Sequence, residues 1–171
     1  MSYYGTLAKA ETYFDTRLDT ESWDEATNIN KIKALTMATR AIDRLNFIGE
    51  KVDNDQELEF PRNFNDAENE AINYFEYGGY ITYSEDYDMN VMPEDIENAC
   101  YEIALALLNG KDAELEFESA NLTITQMGPI QGNFDTNTPE YILSGIVSYY
   151  AWQFLKPYLR DSRTMKVFRT S

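Results

Sequence analysis

The sequence predicts a mainly α-helical protein: a small bundle of about four helices with an inserted β-hairpin or ribbon and an extended C-terminal tail. Three observations predict this class. Apolar residues recur at helical spacing in four segments, the period changes to two after Gly110, and the last dozen residues are polar and basic. We expect one domain over residues 1–159 and a tail over 160–171. The predicted helices cover about residues 6–18, 29–46, 94–109 and 139–156, and the predicted ribbon covers about 114–134.

The first two predicted helices each carry one apolar face. In the first helix this face runs from Leu7 to Leu18, and in the second it runs from Ile32 to Leu45. Gly49 is expected to end the second helix. We therefore expect both helices to pack against a shared core.

The third predicted helix has the clearest pattern. It begins after Pro93, carries a single apolar stripe from Ile96 to Leu108, and ends at Gly110. Cys100 lies on this stripe, so we expect it to be an inert core residue.

The segment after Gly110 favours strands. Leu115 and Phe117 alternate with glutamates, and a similar alternation surrounds Ile124. Residues 119–121 could form a turn, and Gly128 with Pro129 could form a break or a bulge. This pattern predicts the β-ribbon.

The last predicted helix, from Pro139 to Pro157, is apolar around nearly its whole circumference. A domain of this size can cover only part of such a helix, so we expect the remainder to meet a neighbouring subunit or a partner. A membrane span is the other interpretation, but about 17 residues with several polar side chains are too few and too polar for one. The predicted subunit-interface residues are Ile146, Tyr149, Tyr150, Trp152 and Phe154.

Charge is divided unevenly along the chain. Residues 1–155 carry nine Lys and Arg against twenty-nine Asp and Glu, whereas residues 156–171 carry five basic residues against one acid. The acidic body should repel nucleic acid and anionic membranes. The tail could be a disordered terminus, a solubilising flank, or an arm that docks on a partner. The predicted docking residues are Arg160, Arg163, Lys166, Phe168 and Arg169.

Residue usage argues against most catalytic chemistry. The chain has no histidine and one cysteine, which disfavours zinc sites and Ser-His or Cys-His nucleophiles. Asp53, Asp55, Glu57 and Glu59 alternate as in a calcium loop, but the glycine and the final glutamate of an EF-hand are missing. We therefore expect no catalytic, cofactor-binding or metal-binding residues and no cofactor. A lone cysteine and the absence of a signal-peptide pattern at the N-terminus favour assembly inside a cell.

Six groups of local patterns follow one another along the chain: Tyr13-Phe14, Arg17-Leu18 and Trp23; Lys33-Ala34-Leu35, Ala38-Thr39-Arg40 and Ile42-Asp43; Gly49, Lys51, Gln56, Leu58 and Phe60-Pro61-Arg62; Met92-Pro93, Ile96 and Ala99 through Leu108; Met127-Gly128-Pro129-Ile130; and Phe154 through Leu159. Their order resembles a family of bacteriophage head-to-tail connectors, also called adaptor or neck proteins. Some members of this family are labelled DnaT-like single-stranded-DNA-binding. The departures are an acidic insertion near residues 63–90 and the absence of tryptophan before Pro61.

The resemblance implies a structural virion protein without catalytic residues. Residues 1–159 would be an adaptor domain in a homo-oligomeric ring, usually of twelve subunits. The ring would be assembled in the host cytoplasm, join the portal protein to a tail or nozzle protein, and continue the channel through which genomic DNA passes without specific binding. No membrane contact is implied.

Two alternatives remain open. The first is a single-stranded nucleic-acid-binding replication protein, as the DnaT-like label suggests; the net charge of −16 argues against it. The second is an enzyme that uses paired carboxylates, which thirty acids permit but do not locate.

Overall fold

The computed structural model describes residues 2–64, 91–120, 124–127, 130–133 and 138–160, with only the backbone described for 120, 124–127 and 130–133. The described part is mainly helical with a small antiparallel hairpin, which confirms the predicted fold class. Its elements are α1 (Leu7–Phe14), α2 (Glu21–Asp24), α3 (Asn28–Ile42), β1 (Glu50–Lys51), β2 (Arg62–Asn63), α4 (Glu94–Leu108), α5 (Ala113–Ala120), β3 (Ile124–Met127), β4 (Ile130–Asn133), α6 (Glu140–Leu143), α7 (Tyr149–Leu155) and a 3₁₀ turn (Lys156–Tyr158).

Helix α4 is the centre of the fold. It packs against α3 and α7, and α1 and α2 also contact it. Pro93 caps its N-terminus in extended conformation, and acids occupy its first turn, where they complement the helix dipole. Ile96, Cys100 and Ile103 are buried along the predicted stripe. The prediction of a helix over about 94–109 is therefore confirmed.

The first two predicted helices are present but shorter than expected. Thr6 caps α1 by accepting a hydrogen bond from the amide of Lys9, and the helix ends at Phe14 rather than at residue 18. Leu18 lies beyond the end and is 81% exposed, so it does not continue the apolar face. Helix α3 ends at Ile42 rather than at residue 46, and a turn follows it.

The loop after α3 is anchored by Tyr4 near the N-terminus and by residues 158–160. The Tyr4 hydroxyl donates to the Asp43 carboxylate and accepts from the amides of Glu59 and Phe60. Strands β1 and β2 pair antiparallel within this loop. The Ile48 amide donates to the carbonyl of Tyr158, so residues 158–160 run alongside residues 46–48.

The predicted ribbon over 114–134 is wrong in its first half, because residues 113–120 form helix α5. Leu115 and Phe117 are both exposed, so the alternation does not correspond to one buried face. Alanine, glutamate and leucine favour helices, and the Asp112 carboxylate accepts a hydrogen bond from the amide of Glu114 at the helix start. In the second half of the predicted ribbon the described residues form the hairpin of β3 and β4, where Ile124 pairs with Asn133 and Met127 with Ile130.

The predicted continuous helix over 139–156 is also wrong. It is divided into α6 and α7 by residues 144–148. Gly145 has a left-handed backbone with φ of 74°, which a helix interior cannot contain. Ser148 then begins α7 by accepting a hydrogen bond from the amide of Ala151. The argument that one helix is apolar on all sides therefore no longer holds.

Candidate functional site

A groove of about 610 Å³ lies between α3, the C-terminal end of α4 and the corner that joins α6 to α7. Its floor is apolar and its rim is polar. Apolar lining comes from Ala34, Met37, Ala41, Ile103, Leu107, Leu108, Ala113 and Val147; the other lining residues are Asn30, Lys33, Arg40, Arg44, Gly110, Lys111, Asp112 and Gly145.

The groove carries positive charge on a strongly acidic protein. Four of its lining residues, Lys33, Arg40, Arg44 and Lys111, are cations. Asp112 is the single acid among the described lining residues. All four cations are exposed. The rest of the chain carries the acids that bring the net charge to −16. The groove is therefore a local exception to the charge of the molecule.

Helical spacing and one glycine turn bring these cations together. Lys33, Arg40 and Arg44 follow one another at intervals of seven and four residues, which places them on one side of α3 and the turn after it. The opposite side of α3 is buried in the core. Gly110, with φ of 78°, ends α4, and the Lys111 amide donates to the carbonyl of Ala106. This turn places Lys111 at the groove.

Cations elsewhere in the described residues are already engaged. Five cations form ion pairs: Lys9–Glu97 (2.8 Å), Arg17–Glu102 (2.7 Å), Lys31–Glu11 (2.8 Å), Lys51–Glu59 (3.0 Å) and Arg62–Glu59 (2.6 Å). Lys156 and Arg160 have interactions of their own. Within the described residues, Lys33, Arg40, Arg44 and Lys111 make no ion pair or side-chain hydrogen bond. Unpaired positive charge of the described part is thus concentrated in the groove.

This arrangement suits an anionic ligand that also has apolar surface. Exposed cations attract phosphate groups, and an apolar floor can cover the faces of bases. The basic side of α3 runs for about 16 Å from Lys33 to Arg44, which is roughly the length of five nucleotides of a stacked strand. No aromatic ring lines the groove within the described residues.

The five predicted interface residues differ in their exposure. Ile146 and Trp152 are buried in the chain's own core, and Phe154 is partly buried against it. Tyr149 and Tyr150 are 57% and 63% exposed. Only these two of the five residues are available in large part to another molecule, and the interface itself stays a prediction.

The predicted docking residues fall mostly outside the described part. Arg160 is exposed, and its amide donates to the carbonyl of Asn46, so the backbone is anchored up to this residue. Arg163, Lys166, Phe168 and Arg169 lie outside the described residues, as does most of the acidic insertion at 63–90. The docking role of the tail stays a prediction.

The remaining candidates have structural roles where the structure describes them. Glu59, in the loop compared with a calcium site, pairs with Lys51 and Arg62. Across the described ranges there is no group of three or more acidic or cysteine side chains that could hold a metal ion. Cys100 is buried as predicted, and burial raises the pKa of its thiol to about 12. None of the helices described is long and apolar enough to cross a bilayer.

The groove was missed by the sequence analysis. One signal could have found it: four of the nine basic residues of the acidic body fall between Lys31 and Arg44, and three of them share helical spacing. The contribution of Lys111 and of the corner at Gly145 depends on tertiary packing, so no local pattern points to it.

The fold and the groove define a class: a small helical protein with one cationic groove on an acidic body. More particularly, the chain belongs to the family described as "Putative DnaT-like ssDNA binding protein", whose model matches residues 2–170. This agrees with the DnaT-like part of the resemblance. No curated protein matches the chain. No solved structure matches it either.

Proposed function

We propose that this protein binds single-stranded DNA in the groove between α3 and the end of α4. The observation that carries the proposal is the convergence on this surface of four cations, Lys33, Arg40, Arg44 and Lys111, that have no partner among the described residues. The description of the family supports the same ligand. This was the alternative in the sequence analysis, where the net charge argued against it.

The acidic body and the cationic groove act at different distances. Salt screens the repulsion between the body and DNA beyond about 8 Å at physiological ionic strength, whereas cations in direct contact with phosphates still release counterions. Four phosphate contacts give a slope of log affinity against log salt no steeper than about −2.8. The proposed binding is therefore of modest strength and weakens as salt is added.

The test is fluorescence anisotropy with a labelled oligo-dT at several salt concentrations. The variant Arg40→Gln/Arg44→Gln removes two groove cations and should lower affinity by at least about 10-fold, with a slope that is shallower by about 1.4. The matched control Thr12→Glu/Asn54→Glu makes the same change of −2 in net charge at exposed positions that do not line the groove. It should change affinity by less than about 2-fold. Equal losses in both variants, or no binding by the wild type, would overturn the proposal.

The second candidate is a connector subunit in the virion neck. The observation that favours it is a run of large exposed side chains near the end of the domain: Leu143, Tyr149 and Tyr150 are each more than half exposed. Tyrosine is enriched at protein interfaces, and one chain that contacts a copy through two different surfaces can close into a ring. In this proposal the partners are other copies of the chain, the portal protein and a tail or nozzle protein, with DNA passing through without specific binding.

Particle mass and electron microscopy distinguish the two candidates. A connector subunit should form a ring, of twelve copies as the resemblance implies, alone or with portal protein, and deletion of residues 160–171 should weaken portal binding. A protein that stays monomeric with the portal and binds oligo-dT through the groove contradicts the connector.

A further inference from the structure

One aromatic pair lies next to the groove. Gly145 and Val147 line the groove, and the pair flanks them along the chain, with Tyr141 on α6 and Tyr149 at the start of α7. The Ile146 amide donates to the carbonyl of Tyr141 at 2.9 Å, which fixes the corner between the two helices. The rings of Tyr141 and Tyr149 meet edge to face, with centroids 5.9 Å apart. The corner therefore links the groove wall to an ordered aromatic surface.

Tyr149 is a large ring that is both supported and exposed. Its side chain packs on Tyr141, yet the residue is 57% exposed. Exposed aromatic rings that are held in place act as platforms on which the bases of single strands stack. The groove supplies cations and an apolar floor but has no ring among its described lining residues. The Tyr149 ring is the component that the groove otherwise lacks.

We infer that Tyr149 stacks on a base of the strand whose phosphates contact the groove cations. The inference rests on the proposed function and adds a base-binding residue to it. Gly145 and Val147 line the groove, and Tyr149 follows Val147 by two residues. A strand that lies along Lys33, Arg40 and Arg44 and continues past this corner would therefore reach the start of α7, where Tyr149 lies. Stacking does not depend on base identity, so the expected binding has little sequence preference.

The neighbouring residue Tyr150 provides a matched control. It is similarly exposed, but the Arg17 guanidinium lies 5.0 Å from its ring centroid, and Arg17 is held by the buried carboxylate of Glu102. Successive residues of a helix point about 100° apart, so Tyr150 faces α1 rather than the Tyr141 side of α7. A base stacked on Tyr149 would not contact it.

The experiment compares oligo-dT with an abasic oligonucleotide of the same length, because both have the same phosphates and only one has bases. The variant Tyr149→Ala should lower affinity for oligo-dT by about 5- to 100-fold and leave affinity for the abasic strand unchanged. Tyr149→Phe keeps the ring and should retain the affinity of the wild type. Tyr150→Ala should change either affinity by less than about 2-fold. Thermal unfolding of each variant checks that the fold is intact.

The outcomes separate this inference from the proposed function. If Arg40→Gln/Arg44→Gln weakens binding and Tyr149→Ala does not, the groove is the site and the stacking role of Tyr149 is wrong. Equal weakening of both oligonucleotides by Tyr149→Ala also overturns the stacking role, because the effect would then not require a base. If the wild type binds neither oligonucleotide, the proposed function itself fails.

Discussion

A buried acid on the central helix α4 binds residues in and just after α1. Glu102 accepts hydrogen bonds from Arg17 at 2.7 Å and from the hydroxyl of Tyr13 at 2.8 Å, and its side chain is 4% exposed. A buried carboxylate is tolerated only when such partners replace its water. In the sequence this position lies beside an apolar stripe, and its partners could not be predicted because they are 85 and 89 residues away.

The variant Glu102→Gln should lower the free energy of unfolding by about 2 kcal/mol, because it leaves the partly buried Arg17 guanidinium without a counter-charge. The control is Glu118→Gln, the same chemical change at an exposed position on α5, which should change stability by less than about 0.5 kcal/mol. Urea unfolding monitored by circular dichroism measures both values. Equal stability of the two variants would contradict the structural role of Glu102.

Glu11 should make part of the stability depend on pH. The Lys31 ammonium, which donates to its carboxylate at 2.8 Å, is the main reason that the pKa of Glu11 is lowered; Trp23 also donates to it at 3.2 Å. A carboxylate whose pKa is lower in the folded state stabilises the fold above its unfolded pKa. That contribution is lost as the pH falls through the folded pKa.

The variant Glu11→Gln should therefore be less stable than the wild type by about 1 kcal/mol at pH 7, because Lys31 is left buried without a counter-charge. The difference should shrink as the pH falls below 4.5, the ordinary pKa of Glu11. Urea unfolding at pH 7, 5, 4 and 3.5 measures this dependence. A difference that stays constant over this range would show that the ionised carboxylate contributes nothing.

At the scale of elements, an apolar stripe predicted helices α3 and α4, whereas alternation predicted a strand correctly only around Ile124. Helix α3 follows its stripe because one face lies on the core, and α4 has its stripe buried together with its other faces, which α1, α2 and α7 cover. In α5 the alternation of Glu with Leu115 and Phe117 resembled a strand, but both apolar residues are exposed and the segment consists of helix formers. The division between α6 and α7 was not predicted either, because the apolar residues on both sides of Gly145 suggested one helix.

Gly145 should be the residue that keeps α6 and α7 apart. Its φ is 74°, and no atom of the described residues lies within 4 Å of the place where a Cβ would stand, so we expect the cost of a side chain to come from the backbone conformation. The variant Gly145→Ala should lose about 1 kcal/mol of unfolding free energy. The control Ser144→Ala, at a position with φ of −84°, should stay within about 0.5 kcal/mol. A rise in both helical content and stability in Gly145→Ala would mean that the segment forms the continuous helix that the sequence suggested.

At the scale of the whole molecule, the sequence predicted the acidic charge but not the cationic groove. Composition gave an acidic body that should repel nucleic acid. The groove depends on where cations lie after Lys9, Arg17, Lys31, Lys51 and Arg62 have formed ion pairs. Because the partners of Lys9 and Arg17 are more than 80 residues away in the chain, net charge alone could not reveal which cations stay unpaired among the described residues.

The net charge of −16 should make the fold more stable as salt is added. Repulsion among exposed acids opposes the compact state, and salt screens it, whereas surface ion pairs contribute little that salt could remove. We expect salt to raise the free energy of unfolding by about 1 kcal/mol between 20 and 300 mM NaCl. For a chain of this length, this corresponds to a rise in Tm of roughly 3 °C.

Two variants at the same exposed positions test whether net charge is the cause. Asn54→Glu/Gln153→Glu moves the net charge to −18, and Asn54→Lys/Gln153→Lys moves it to −14. The rise in Tm with salt should be largest for the first variant, intermediate for the wild type and smallest for the second, because screened repulsion grows with the excess of negative charge. Scanning calorimetry at several salt concentrations measures the order. A Tm that falls with salt in the wild type would mean that attractive ion pairs outweigh the repulsion among the acids.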